Sequence, residues 1–296
     1  MNNNLPHKIH FIGIGGIGMS GLAEFLHKDG HKITGSDLKK SENTKRLEKM
    51  GIEIFYNHNK NNVGDAGLIV YSSAIPKSNP ERQIKNVPAI KRAVMLNRVM
   101  QKRKYQIAIS GMHGKTTTSS LLTHIFTEAD YDPTALLGGI LQNSQTNIRY
   151  GQGEYCIVEA DEYDRSFMEL YPSHGIITNI EPEHMDIYES LEDIKNTFTD
   201  FAIRIVQKHS VILCKDDENI SSILPDIPYY ISYGINQECD YQALQCSYQP
   251  GHSTFQLRIY GKKAGKVRLA LPGQHNILNS LACIAMAREC GIELDV

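Results

Sequence analysis

A short segment with two glycines, a lysine and a run of threonines carries the residue types best suited to chemistry. Gly111 and Gly114 flank a turn, and Lys115 and Thr116 follow it directly. In this pattern the lysine reaches the β- and γ-phosphates of a nucleotide, and the threonine hydroxyl contacts Mg²⁺. The general pattern has a further glycine where this chain has Ile109. The segment therefore predicts a shortened phosphate-binding loop; the alternative is a glycine turn that only begins a helix.

The neighbouring residues predict the strand and the helix that would hold this loop. Residues 107–109 are apolar and indicate a buried strand, and apolar residues recur at helical spacing between 121 and 126. A helix that begins directly after a glycine turn directs free backbone N–H groups and the positive end of its dipole at an anion. We therefore expect nucleotide phosphates to bind at residues 111–117.

A second apolar segment ends in acidic residues and is the expected source of a metal ligand. Residues 155–161 read YCIVEAD, and Glu159 stands at the end of the predicted strand. A carboxylate in that position beside a phosphate-binding loop is suited to hold Mg²⁺, although acidic clusters are also common on surfaces. His184 follows another predicted strand at 175–179. On its own, a histidine in a polar loop is more often incidental.

The beginning of the chain predicts a second phosphate-binding element. A predicted strand at 8–13 leads into a G-x-G-x-x-G fingerprint at 13–18, a helical pattern and a second strand at 31–35. This arrangement places a pyrophosphate at a helix N-terminus but does not identify the rest of the ligand. Asp37 is suited to bind a ribose hydroxyl or, alternatively, to cap the turn. The candidate loop contacts are Gly15, Gly16, Ile17 and Gly18.

Two serines at the end of another predicted strand are further candidates. Ser72 and Ser73 follow the apolar residues 68–71. Ligands of open α/β sheets bind outside the carboxyl ends of the strands, so these hydroxyls are placed to donate to a ligand. The other interpretation, which stays open, is that they are ordinary turn residues.

The basic segment 91–104 separates the two glycine-rich elements. Runs of lysine and arginine usually form a solvated helix face or a linker. We therefore predict one domain at 1–104 and another at 105–296. In the second domain, residues 241–271 alternate in short runs that indicate a small antiparallel sheet, and Asn276 is suited to cap the final helix.

The composition is that of an ordinary globular protein with about two domains. Its 296 residues are 41% hydrophobic and 22% charged, with a formal net charge of −2. This charge gives no general attraction to nucleic acid or to an anionic membrane. The six cysteines form no C-x-x-C pair, and the sequence has neither an apolar signal region nor an apolar run of membrane-spanning length. These features favour a cytoplasmic protein with no nucleic-acid or membrane partner.

Seven segments, taken together, resemble the Mur ligases of peptidoglycan synthesis. They are GIGGIGMSGLAEFL (13–26), GSD (35–37), SSAIPKSNPE (72–81), GMHGKTTTSS (111–120), VEADEYDRSF (158–167), TNIEPEHMDIY (178–188) and PGQHNILNSLACIA (272–285). The resemblance covers nearly the whole chain, and the ordered set is highly specific. The GGIGMSG run is more similar to the branch that adds L-alanine to UDP-N-acetylmuramate than to the branch that recycles murein tripeptide. Met112 stands where the family usually has threonine, and we expect little effect because that side chain is not the phosphate ligand.

The resemblance implies an α/β fold with two nucleotide-binding domains. A Rossmann-like domain with a parallel sheet would bind UDP-N-acetylmuramate, and a P-loop ATPase-like domain with a small antiparallel sheet would bind ATP and Mg²⁺. Thr116 is the implied ligand of a first magnesium ion, and Glu159 and His184 are the implied ligands of a second. The implied ATP contacts are Gly111, Met112, His113, Gly114, Lys115, Thr116, Thr117, His275, Asn276 and Asn279.

The implied reaction is an ATP-dependent amide ligation, with small molecules as the partners. The muramate carboxylate attacks the γ-phosphate to form an acyl phosphate, and the amine of L-alanine then displaces phosphate, with Lys115, Glu159 and His184 as the implied catalytic residues. The family's C-terminal domain is expected to be absent, so the chain is either a fragment or a reduced protein. The alternatives are a binding module without turnover, the tripeptide-recycling ligase, and a nicotinamide oxidoreductase predicted from residues 13–18 alone.

Overall fold

The computed structural model describes residues 5–141 and 146–294, which form two compact units. The first unit comprises Met1–Lys102 and Leu136–Tyr150, and the second comprises Arg103–Ala135 and Gly151–Val296. The chain therefore passes between the units three times. The sequence placed a single boundary at Lys104 and did not predict that residues 136–150 group with the first unit.

Strands and helices alternate along most of the described chain. The strands are β1 (Lys8–Ile12), β2 (Lys32–Ser36), β3 (Glu53–Phe55), β4 (Leu68–Tyr71), β5 (Ala89–Lys91), β6 (Tyr105–Ser110), β7 (Thr134–Leu141), β8 (Thr146–Arg149), β9 (Tyr155–Glu159), β10 (His174–Ile177), β11 (Val211–Cys214), β12 (Ile231–Gly234), β13 (Tyr241–Gln249), β14 (His252–Ile259) and β15 (Lys262–Leu269). The α-helices are α1 (Ile17–Lys28), α2 (Glu42–Lys49), α3 (Arg92–Met100), α4 (Lys115–Glu128), α5 (Leu191–Val206), α6 (Glu218–Ile223) and α7 (Gln274–Glu289). Short 3-10 helices cover Lys60–Val63, Tyr163–Glu169 and Leu224–Asp226.

The first unit is built on a parallel sheet with the strand order β3-β2-β1-β4-β5. Its central strand β1 is completely buried at Ile9, Phe11 and Ile12, as the middle strand of a parallel sheet usually is. The chain order reverses beside β1, whose neighbours are β2 and β4. Ligands bind outside the carboxyl ends of the strands at such a switch point, and residues 13–16 lie there between β1 and α1.

The strand β8 packs against α1 within the first unit. Thr146 Oγ1 donates a hydrogen bond of 2.8 Å to Glu24 Oε2, and Asn147 Nδ2 donates one of 3.0 Å to the carbonyl oxygen of Ile17. A Cβ atom on Gly21 would lie only 2.7 Å from Asn147 Nδ2, so this close contact requires glycine on the helix. Polar pairing and one small residue thus attach β8 to the helix that follows the first glycine loop.

Eight strands of the second unit are hydrogen-bonded in the order β15-β14-β13-β12-β11-β10-β6-β9. The strands from β9 to β13 in this order are parallel, whereas β13, β14 and β15 are antiparallel. The antiparallel segment predicted at 241–271 is therefore confirmed, as the edge of a larger mixed sheet. Residues 107–109 of β6 are completely buried, as the sequence predicted. The α/β fold class is confirmed.

The final helix α7 does not begin as predicted. Gly273, not Asn276, occupies the N-cap position and has a φ of 103°, which favours glycine. Asn276 lies in the first turn of the helix, where its Nδ2 donates to the carbonyl oxygen of Pro272 at 2.7 Å. The prediction of Asn276 as the cap was therefore wrong by one turn. Within the described part of the chain, no helix is long and apolar enough to cross a membrane.

Candidate functional site

The glycine loop of the second unit joins β6 to α4 and needs glycine at both ends. Gly111 has a φ of 129° and Gly114 a φ of 84°, in the region that L side chains rarely adopt. A Cβ atom on Gly111 would also lie 2.2 Å from Thr178 Oγ1, and one on Gly114 would lie 2.6 Å from Asn279 Oδ1. The loop is therefore packed closely between the residues after β10 and the helix α7. Its geometry is that of a phosphate-binding turn at the start of a helix.

Two polar residues that follow β10 hold this loop in place. Asn179 Oδ1 accepts a hydrogen bond of 2.9 Å from the backbone N–H of His113, and Asn179 Nδ2 donates one of 2.9 Å to the His113 carbonyl oxygen. Thr178 Oγ1 donates to the same carbonyl at 2.7 Å. The sequence did not single out these two residues. Their position directly after an apolar strand was the available signal.

The side chain of Lys115 folds back onto its own loop. Its Nζ donates to the carbonyl oxygens of Gly111 at 2.5 Å and Met112 at 3.1 Å. It also lies 3.0 Å and 2.9 Å from the two carboxylate oxygens of Glu162. An ammonium group has three protons, so these partners use its full capacity. Glu162 is itself buried, and the hydroxyl of Tyr188 donates to its backbone oxygen at 2.7 Å.

The residues predicted to hold magnesium lie around the same loop. Thr116 Oγ1 donates to Glu159 Oε2 at 3.1 Å, and Ser119 Oγ donates to Glu159 Oε1 at 2.9 Å. This set of hydroxyl and carboxylate oxygens suits Mg²⁺, which prefers oxygen ligands. His184 Nε2 lies 3.4 Å from Glu162 Oε1. The structure thus brings Thr116 and Glu159 together and connects His184 to Lys115 of the loop through Glu162. Glu162 belongs to the VEADEYDRSF segment, but no role was predicted for it from the sequence.

A cavity of about 610 Å³ opens beside the loop in the second unit. It is lined by His113, Gly114 and Thr117 of the loop and by His275, Asn276 and Asn279 of α7. Asp217, Tyr233 and Asn236 line it as well. Its volume is typical of a small-molecule site. The implied ATP contacts of α7 therefore share one cavity with the loop, whereas Lys115 and Glu159 do not line it.

A group of three exposed side chains near the loop also has suitable atoms for a metal. His113 Nε2 lies 3.6 Å from Glu181 Oε2 and 3.3 Å from Glu183 Oε1. These ligand atoms lie within 4.8 Å of one another. Exposed acidic groups are common without an ion, so this geometry alone assigns no metal there.

The glycine loop of the first unit is held by the end of β2. The backbone N–H of Gly13 donates to the carbonyl oxygen of Ser36 at 2.8 Å, and that of Gly15 donates to Asp37 Oδ2 at 2.8 Å. Asp37 thus stabilises the turn, which was one of its two predicted roles; contact with a ribose remains a prediction. The helix α1 begins at Ile17 without a side-chain cap, so its first N–H groups are available to an anion.

The other predicted residues of the first loop differ in the space around them. A Cβ atom on Gly16 would meet no atom closer than 3.6 Å, whereas one on Gly18 would lie 2.8 Å from Arg92 Nη1. Ser72 forms part of a turn after β4, in which its carbonyl oxygen accepts from Ile75 N at 3.0 Å. Ligand contacts of Ser72 and Ser73 remain predictions.

A buried carboxylate lies beneath the first glycine loop. Glu81 is completely buried and accepts hydrogen bonds from Ser36 Oγ at 2.5 Å, Asn62 Nδ2 at 2.7 Å and the backbone N–H of Asn59 at 3.1 Å. His58 Nδ1 lies 3.4 Å and His10 Nε2 3.6 Å from Glu81 Oε2. Burial alone would raise the pKa of Glu81, but these hydrogen bonds outweigh it and lower that pKa to about 2. We call these residues the Glu81 cluster.

Comparisons with known proteins agree with this geometry. The family model described as "Mur ligase family, catalytic domain" matches residues 8–104, and the "Mur ligase middle domain" model matches residues 109–287. The UDP-N-acetylmuramate–L-alanine ligase of Geobacter sulfurreducens is 44% identical over 294 residues, which cover 98% of this chain and 63% of that protein. The chain thus spans less than two thirds of the length of the curated relatives that it matches.

Two solved structures of Mur ligases are also similar to this chain. The UDP-N-acetylmuramate–alanine ligase of Thermotoga maritima has a TM-score of 0.84 and 31% identity, and the match covers 97% of this chain and 66% of that one. The UDP-N-acetylmuramate:L-alanyl-γ-D-glutamyl-meso-diaminopimelate ligase of Neisseria meningitides has a TM-score of 0.86 and 26% identity, with 96% and 94% covered. From its two glycine loops and from these matches, we conclude that the chain belongs to the Mur ligase family.

Proposed function

We propose that this protein is an ATP-dependent ligase that joins L-alanine to UDP-N-acetylmuramate through an acyl-phosphate intermediate, in the synthesis of peptidoglycan precursors. The observation that carries the proposal is the loop of the second unit. There, a lysine, a threonine–carboxylate pair and a cavity lined by α7 surround one helix N-terminus. The 44% identity to an L-alanine-adding relative supports the choice of substrates.

In this proposal, the second unit binds ATP and prepares its γ-phosphate for attack. His275, Asn276 and Asn279 receive the adenine side in the cavity, and the N–H groups at the start of α4 receive the phosphates. Lys115 leaves its partners on the loop to contact the phosphate oxygens. Thr116 would hold one Mg²⁺, and Glu159 and His184 would hold a second; when bound, such ions neutralise charge between the phosphate and the attacking carboxylate.

The first unit would bind UDP-N-acetylmuramate. Its glycine loop offers the uncapped N-terminus of α1 to the diphosphate, and Gly16 leaves open space beside that terminus. Asp37 accepts a hydrogen bond from the Gly15 N–H beside the loop, and in this proposal it also binds a ribose hydroxyl. The use of ATP and of a UDP-sugar favours the cytoplasm, in agreement with the sequence-based expectation.

The experiment that tests this function measures binding and turnover in the same preparation. We expect calorimetry to detect separate sites for UDP-N-acetylmuramate and for ATP with Mg²⁺. Sustained ADP formation should then require UDP-N-acetylmuramate and L-alanine together, because without the amine the reaction stops at the acyl phosphate after one equivalent of ADP. Binding of both ligands without ADP formation would favour the binding module. ADP formation with murein tripeptide in place of L-alanine would favour the recycling ligase, and failure to bind a UDP-sugar would contradict the proposal.

A further inference from the structure

We propose that Glu162 is a positioning residue that makes nucleotide binding depend on a divalent cation. Acting through Lys115 and His184, its carboxylate would oppose ATP without metal and favour ATP with Mg²⁺. The inference rests on the proposed binding of ATP at the loop of the second unit.

The Glu162–Lys115 ion pair is largely buried. The side chain of Glu162 is 4% exposed and that of Lys115 is 18% exposed, so water screens the pair little. Both carboxylate oxygens lie within 3.0 Å of Lys115 Nζ. The ammonium has no spare proton, because two loop carbonyls take the others. A phosphate can therefore gain Lys115 only by replacing a partner that the lysine already has.

The Glu162 carboxylate loses its paired cation when Lys115 turns towards a phosphate. A buried carboxylate that loses its cation is costly, and it also repels the negative phosphates nearby. Among the described residues, the remaining close side-chain partner of this carboxylate is His184, whose Nε2 lies 3.4 Å away. A divalent cation held by Glu159 and His184 would restore the lost positive charge. A carboxylate that contacts a metal-binding histidine also orients its ring and increases its basicity.

Contacts other than the ion pair hold the backbone of Glu162. Tyr188 is 2% exposed, and its hydroxyl donates to the Glu162 backbone oxygen at 2.7 Å. Tyr163, the next residue, places its ring 5.3 Å from that of His184, centroid to centroid, in a T-shaped contact. These contacts hold the Glu162 backbone and the ring of His184 beside the loop. In this proposal the carboxylate therefore stays at the site when the nucleotide binds.

The test is the ratio of two ATP affinities, measured by calorimetry in EDTA and in excess Mg²⁺. In the parent, ATP should bind much more tightly with Mg²⁺. Glu162→Gln should raise the affinity for metal-free ATP by about tenfold and should leave the affinity with Mg²⁺ unchanged or weaker, because one repulsive charge is gone. In Glu162→Gln, the ratio of the ATP affinity in Mg²⁺ to the ATP affinity in EDTA should thus fall at least tenfold. Glu169→Gln is the matched control, since it removes an exposed charge from the end of the 3-10 helix that Glu162 precedes; its ratio of affinities should stay within twofold.

Two results for Glu162→Gln would contradict its proposed role. Weaker binding by the same factor in both conditions would mean a purely structural role and would overturn the inference, as would an unchanged ratio. If a thermal melt shows that Glu162→Gln does not fold, Glu162→Ala makes the same comparison, because the smaller side chain admits water to the ammonium. A parent that binds no ATP even with Mg²⁺ would overturn the proposed function and this inference with it. A parent that binds ATP while its variants keep the ratio would overturn the inference alone.

Discussion

The two glycine loops of this chain are both associated with a buried carboxylate, but the carboxylates have different partners. In the first unit, Glu81 accepts hydrogen bonds from Ser36, Asn62 and the backbone of Asn59, and it lies outside the loop itself. In the second unit, Glu162 is paired with Lys115, a residue of the phosphate-binding motif. Glu81 stabilises Ser36, which holds the first loop. Glu162, in contrast, is paired with the lysine that a nucleotide phosphate would need.

This difference indicates two ways of preparing a phosphate site. The first loop is complete before its ligand arrives, because Ser36 and Asp37 already hold the N–H groups of Gly13 and Gly15. The second loop must exchange an ion pair when phosphate binds. We therefore expect ligand binding at the first site to respond to changes in shape and ligand binding at the second site to respond to changes in charge. Four predictions test this contrast, beginning with the largest expected effect.

The Glu81 cluster should make the first unit sensitive to acid. The pKa of Glu81 in the folded protein is about 2, below the ordinary value of 4.5. Ionised Glu81 therefore stabilises the fold above pH 4.5, and this stabilisation is lost as the pH falls towards 2. A shift of this size corresponds to about 3 kcal/mol. In urea unfolding, Glu81→Gln should therefore be less stable than the parent at pH 7, and the gap should narrow by pH 3. A gap that is constant with pH would contradict the stated cause.

Alanine at the first glycine of each loop should distinguish the packing of the two loops. A Cβ atom on Gly111 would meet Thr178 Oγ1 at 2.2 Å and the Asn179 backbone at 3.1 Å, whereas one on Gly13 would meet a flexible methyl group of Ile75 at 3.3 Å. Gly111→Ala should cost about 2 kcal/mol or more, and Gly13→Ala about 1 kcal/mol, since both positions have positive φ. Thermal melts would measure the two costs. Equal losses would mean that backbone strain, not contact, dominates in both loops.

Removal of the lysine should affect one ligand only. Lys115→Ala should weaken ATP binding in Mg²⁺ at least tenfold, about 1.4 kcal/mol, because the cation of the loop is lost. UDP-N-acetylmuramate should bind as before in the same calorimetric titration. Lys104→Ala is a suitable control, since that lysine is 58% exposed and pairs with Glu154 at the surface. Unchanged ATP affinity in Lys115→Ala would remove the basis for the assignment of the second loop.

A larger residue at Gly16 should affect the other ligand. Gly16 has φ −61° and ψ 145°, which any residue adopts, and the space beside it is open. Gly16→Val should therefore fold, yet weaken UDP-N-acetylmuramate binding about fivefold, roughly 1 kcal/mol, by crowding the diphosphate. Gly16→Ala should give a smaller loss. Competition with NAD completes the test, because tighter binding of NAD than of the UDP-sugar would favour the oxidoreductase alternative.

The sequence predicted the elements of both loops because those signals are local. Apolar runs, glycines and the residues between them are neighbours in the chain, and the strand before the second loop is buried as expected. The acid at the end of β9 was also predictable, because Glu159 follows its apolar run directly. The structure places it 3.1 Å from Thr116, a pairing that the spacing of the motifs alone does not define.

The contacts that hold the loops could not be predicted, because they join residues far apart in the chain. Lys115 and Glu162 are 47 positions apart, and Ser36 and Glu81 are 45 apart. Nothing local distinguishes Glu162 from the three acids around it. Only the fold selects the one carboxylate that is buried against the lysine. The predicted cap of α7 was wrong for a different reason, because Gly273 at positive φ occupies the N-cap position in place of a capping side chain.

The strand β8 has a consequence for the order in which the chain can fold during synthesis. Its hydrogen bonds from Thr146 to Glu24 and from Asn147 to Ile17 span more than a hundred residues. A ribosome that has released only the first hundred residues has therefore exposed Glu24 without its partner on β8. Much of the segment that carries the second glycine loop must emerge before the last strand of the first unit. Residues 1–102 therefore lack these contacts until β8 has been synthesised, so the first unit is not completed before the second glycine loop has emerged.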